Sequence, residues 1–261
     1  MKKLFIVCII MAAITFPIEF SHAEQAKGGN DTLDVYEFPI RPGMDEWKEL
    51  DGNAEMLKAC QIPENVLPRM TTEGLVKTCL NYPSFLDFML YSDFSSGIEK
   101  VISRFNGLKE MLERPGTGSI LLKEYKEFDV DSMYLKPTTQ QNKYQPFKMM
   151  YVELLLSQKE ILENFQAEEK KALLEECLVK YEKKKNNSSL GLMQLKTLGM
   201  LVGQVLLSED YEYFVTKYNE NEIYKLFLED KIPTDRHILD EIIHSAEHFI
   251  DQNNLLKGGT K

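Results

Sequence analysis

Cysteine and histidine are scarce, four of each among 261 residues, and most metal, haem and thiol chemistry depends on them. No two cysteines stand as Cys-x-x-Cys, which argues against zinc ribbons, thioredoxin chemistry and c-type haem. Phosphate loops are missing too: Gly116-Thr-Gly-Ser119 has neither the lysine nor a preceding strand. There is no Gly-x-Ser-x-Gly turn to present a serine nucleophile. Asp129-Val-Asp131 opens like a calcium loop, but Met133 and the missing glycine break it. No stretch alternates with period two for long enough to demand a strand. Positive charge is in deficit: the formal net charge is −10, which repels phosphate backbones and anionic lipid. No nucleic-acid partner is therefore expected.

Long apolar runs are absent except near the start. Lys2 and Lys3 precede an apolar stretch, Leu4 to Phe16, that is too short for a comfortable membrane span. Ser21-His22-Ala23 supplies small residues at the −3 and −1 positions of a cleavage site before Glu24. Residues 1–23 read as a secretory signal. The expected location is exported, periplasmic or extracellular, with no stable membrane insertion after cleavage.

What is abundant is helical periodicity. Residues 24–43 read as a flexible leader, extended around Pro39 and Pro42. Residues 44–261 read as a single all-helical domain whose weakest stretch, 129–145, could divide it. Asn53 can cap a helix running through Cys60, and Thr71 can cap a helix Thr72–Tyr82 that Pro83 stops. Ser84 with Asp87 resembles a capping box for a short helix. Ser96 with Glu99 forms a full box opening one helix that carries Ile98, Val101, Ile102, Phe105, Leu108 and Leu112 on one stripe. Further helices are expected at Phe147–Phe165, Ala167–Lys185, Leu190–Leu207 and Thr234–Gln252. Lys183-Lys184-Lys185 reads as a solvated helix end favoured by the dipole. The fold class is all-α, either a helical bundle or an irregular α-α superhelix of stacked helical hairpins. Phe105, Leu154, Leu174, Leu198 and Ile242 are expected in the core.

Cleavage would leave Cys60, Cys79 and Cys177, each on an apolar helical stripe, so buried thiols are expected; a Cys60–Cys79 bridge is the one competing pairing. It would leave three histidines, His237, His244 and His248. With Glu241 they form one stripe of the last helix, opposite Ile238, Ile242, Ala246, Phe249 and Ile250. His244 and His248 are spaced to share a metal, but no second Glu-x-x-His element exists to complete a di-iron site. A solvated polar face is the expectation. Most of the plentiful carboxylates are likewise placed on polar helix faces.

Three segments carry a resemblance: Ile62-Pro-Glu-Asn-Val-Leu67, Thr71-Thr-Glu-Gly-Leu-Val-Lys-Thr-Cys-Leu-Asn-Tyr-Pro83 and Arg104-Phe-Asn-Gly-Leu108. They resemble an uncharacterised family of exported all-helical bacterial proteins. That resemblance implies an exported helical fold and no particular activity. No catalytic residue, metal ligand or cofactor is assigned, and the binding residues stay unspecified. The expected function is a non-enzymatic helical module that binds or scaffolds another protein. The alternative is an exported hydrolase using carboxylates, or a metal at the C-terminal helix.

Overall fold

The computed structural model describes residues 34–134, 140–186 and 192–258; the expected signal, 1–23, lies outside them. Every regular element among the described residues is helical, as the all-α reading requires. The first half holds α1 (Asp45–Lys48), α2 (Gly52–Ala59), α3 (Thr72–Leu80), α4 (Phe94–Arg104), α5 (Asn106–Glu113), α6 (Thr117–Lys126) and α7 (Val130–Tyr134). Single 3-10 stretches occupy Leu67–Arg69 and Phe85–Leu90. The second half holds α8 (Gln140–Leu156), α9 (Lys159–Asn164), α10 (Ala167–Lys185), α11 (Leu192–Ser208), α12 (Glu212–Glu220), α13 (Glu222–Leu228) and α14 (Arg236–Gly258).

Two helices are buried on every side over part of their length and so run through the interior. On α8, Met149 to Leu156 are buried without a gap, and on α11 burial is continuous from Leu195 to Gly203. These two pack on each other; α4 and α6 flank α8, while α10, α13 and α14 flank α11. Gly199 and Gly203 set how closely the flanking helices approach. A Cβ at Gly199 would lie 2.6 Å from a methyl of Leu239, and one at Gly203 would lie 2.5 Å from a methyl of Leu228. The buried residues form one cluster from Phe38 to Ile250. Central helices enclosed on their flanks are a bundle arrangement rather than an open stack. Phe105, Leu154, Leu174, Leu198 and Ile242 are all buried in it.

Thr71 caps α3 as its sequence suggests, its hydroxyl accepting the Gly74 N–H at 2.9 Å. Other boundaries differ for identifiable reasons. Asn53 lies inside α2, whose N-cap is Asp51. Ser84 makes no cap bond, and its segment is 3-10. α4 starts before Ser96, because Asp93 caps it by accepting the Ser96 N–H at 2.7 Å. The stripe from Ile98 to Leu112 spans two helices, since Phe105 adopts an extended backbone between α4 and α5. Side chains hold that break open. Asn106 accepts the Ile62 N–H at 3.0 Å and donates to the Ile62 carbonyl, as a paired strand would. Gln61 accepts the Asn106 N–H and donates to the Arg104 carbonyl, each at 3.0 Å. The expected helix Phe147–Phe165 is likewise broken after Leu156, where Ser157 and Gln158 both donate to the Leu154 carbonyl and compete with the helical ladder. In the 129–145 stretch, α7 and the start of α8 are helical. In the described part of the expected leader Phe38 is only 4% exposed, while Val35, Glu37 and Pro39 are exposed.

Candidate functional site

Three consecutive lysines end α10, and only two of them face water. Lys183 reaches Asp131 at 3.0 Å and Asp129 at 3.6 Å. Lys185 pairs with Glu182 at 2.5 Å on the surface. Lys184 points inward, so the solvated-end reading fails there: its ammonium meets Glu153 at 2.5 Å, with both side chains 0% exposed. Glu153 is the one acid in the apolar run Met149–Leu156, an exception to the placement of most carboxylates on polar faces.

The Glu153 carboxylate is fully partnered. Oε1 also accepts from the Tyr125 hydroxyl at 2.8 Å, and Oε2 accepts from the Thr197 hydroxyl at 2.5 Å. Lys184 donates additionally to the Gln194 carbonyl at 3.0 Å. One hub thus ties α6, α8, α10 and α11. Burial pulls the Lys184 ammonium down from its usual range, and the attraction of Glu153 opposes that. Burial, then the nearby Glu153 charge, pushes the Tyr125 hydroxyl up. Cys177 touches the same hub, and burial raises its thiol too. A substrate would have no route to these groups, and each has a partner, so the hub organises structure.

On the outer side of the same helix end lies a groove of about 410 Å³. Tyr181, Glu182 and Lys185 line it from α10, Leu195 from α11, and Arg236, Leu239, Asp240, Ile243, His244 and Glu247 from α14. Leu195, Leu239 and Ile243 are buried and form an apolar floor. The charged residues form the rim, and the Tyr181 hydroxyl donates to Asp240. Burial, reinforced by that bond, pushes the Tyr181 hydroxyl up.

The histidine stripe is where its periodicity puts it. His237, His244 and His248 are all exposed. His244 faces Glu247 at 3.5 Å, the two being 65% and 52% exposed. Glu241 pairs with Lys217, and His248 bonds the Tyr211 hydroxyl. Among the described residues no three of His, Cys, Asp and Glu gather closely enough to hold a metal ion. Cys60, Cys79 and Cys177 are free and buried, so the bridge between the first two is not formed. No described helix is long and apolar enough to cross a membrane.

Sequence periodicity finds α14 and its polar face but not the groove, which needs α10 and α11 brought alongside. The clue to the hub is local: a lone glutamate inside an eight-residue apolar run has to find a buried cation. Comparison with family models, with curated proteins and with solved structures finds no significant match.

Proposed function

We propose that the chain is an exported helical module that binds another protein through the groove between α10, α11 and α14. The observation that carries this reading is the groove itself, an apolar floor from three helices inside a rim of both charge signs. Such a surface suits an amphipathic segment of a partner, with apolar side chains on Leu195, Leu239 and Ile243 and polar ones at the rim. Export rests on the N-terminal residues 1–23, which read as a signal. The stiff hub behind the α10 end supports the reading further, because a pre-formed wall lowers the ordering cost of binding.

A second reading, an exported hydrolase, draws on Glu182, Asp240, Glu247 and His244 sharing this groove. Their open, water-washed setting favours binding, since general acid–base catalysis works best where water is excluded and the groups converge on one reacting atom. The test is capture of a partner from the exporting cell by the chain and by its Arg236→Glu and Lys185→Glu variants. The account expects a partner held by the parent chain and released by both variants, with unchanged circular dichroism. A partner held equally by all three would contradict it. Turnover of a substrate that Glu182→Gln or His244→Ala abolishes would favour the hydrolase.

A further inference from the structure

Residues Asp34 to Phe38 lie extended across α3, and the burial of their side chains alternates: Tyr36 and Phe38 face in, Val35 and Glu37 face out. The seat for this strap is specifically shaped. The Asp34 carbonyl lies so close to Gly74 that a Cβ there would fall 1.2 Å from its oxygen. The Tyr36 N–H donates to the buried Thr78 hydroxyl at 2.9 Å, and that hydroxyl donates to the Gly74 carbonyl at 2.8 Å. Phe38 enters an aromatic box, its ring centroid 5.9 Å from Phe105 and 6.3 Å from Tyr82, which themselves stack at 4.2 Å. The seat recognises an extended backbone with aromatic residues two apart.

The arm behind the strap is less buried, with Trp47 packing half-buried against the core. From Pro39 to Ala59 no residue is buried, and neither α1 nor α2 buries a side chain. The next buried residue is Cys60. A firm seat joined to the core by a lightly anchored arm of about twenty residues is the arrangement that permits exchange of an identical element between two copies. The arm still reaches several tens of ångströms, since its non-helical residues span up to roughly 3.3 Å each and those of α1 and α2 about 1.5 Å each. We propose that the α3 seat is an exchange site whose second occupant is the Asp34–Phe38 strap of another copy of this chain. Association therefore needs an intact strap on one copy and an intact seat on the other, and it is independent of the α10–α11–α14 groove.

The experiment is size-exclusion chromatography with light scattering on the purified chain across a wide concentration range, before and after warming and slow cooling. Phe38→Ala removes the strap anchor, and Gly74→Ala blocks the seat while suiting a helix. The parent chain is expected to show a dimer fraction that rises with concentration, and each variant alone should be monomeric. Mixing the two variants should restore a dimer, because the Gly74→Ala copy still has a strap and the Phe38→Ala copy still has a seat. Circular dichroism checks that each variant is folded, and Thr78→Val replaces Gly74→Ala if that chain does not fold. A parent chain monomeric throughout would overturn the proposal, as would a dimer that survives both substitutions.

Discussion

Lys184 and Glu153 each forgo water completely, which an isolated charge does only at a cost of several kcal/mol. The cost is offset by close approach and by the hydroxyls of Tyr125 and Thr197, which satisfy the remaining carboxylate lone pairs. Removing one member should therefore hurt more than removing both. Lys184→Met is expected to destabilise by about 3–5 kcal/mol, read from the denaturant midpoint. Adding Glu153→Met should recover part of that loss; a double variant as unstable as the sum of the singles would mean the pair is not coupled. The thiols give a second test at this scale. Burial, with the Asp87 charge adding to it, pushes Cys60 up to about 11, and burial drives Cys79 and Cys177 up as well. In a chain prepared without residues 1–23, and so without Cys8, a thiolate reagent should label none of the three when folded and all three in denaturant, with or without reductant. One titratable thiol in denaturant, rising to three with reductant, would show a bridge. Sequence periodicity was enough to place these thiols inward. It could not pair Glu153 with Lys184, because the partners lie 31 positions apart on helices whose packing no local pattern encodes.

At the scale of elements, α4 depends on carboxylates at its start. Asp93 accepts the Ser96 N–H, and Lys231 approaches it at 3.3 Å. Asp230, whose backbone φ is 59°, accepts the Phe94 N–H at 2.5 Å and pairs with Lys196 of α11. Burial works against the charge on Asp93, but hydrogen bonds from Ser96, Lys231 and Ser92 outweigh it and hold its pKa at about 2. A carboxylate depressed in the folded state stabilises fully above its unfolded value, near 4, and loses that contribution as pH falls toward 2. Asp93→Asn keeps a capping oxygen but cannot titrate. Its melting temperature should fall less than the parent's between about pH 4 and pH 2; parallel curves would remove Asp93 from the account. Caps and stops of this kind were only partly legible. Thr71 was read correctly, because its cap is local. The α4–α5 break was missed, because Gln61 and Asn106 make it by reaching across more than forty positions. The α8–α9 break could have been found, since Ser157 and Gln158 act on the carbonyl of Leu154 nearby.

For the whole molecule, the all-α class followed from the absence of period-two patterns and the frequency of capped apolar stripes. The relation of α8 to α11 did not, because apolar runs without a polar face, as at the end of α8 and the middle of α11, carry no facing information. The groove inherits that limit. Its floor uses Leu239 and Ile243, beside the α14 stripe that periodicity marks, and its far wall is set by the inward turn of Lys184, which holds the end of α10 in place. The central claim, that this groove is where the chain meets its partner, is tested most directly by photo-crosslinking in the cell that makes the chain. A benzophenone side chain placed at Arg236 or Lys185, on the rim, is compared with one at Glu113 on α5, exposed but outside the groove. The account predicts one discrete adduct from both rim positions and none from Glu113. An adduct from Glu113 with none from the rim, or the same adduct from all three, would contradict it.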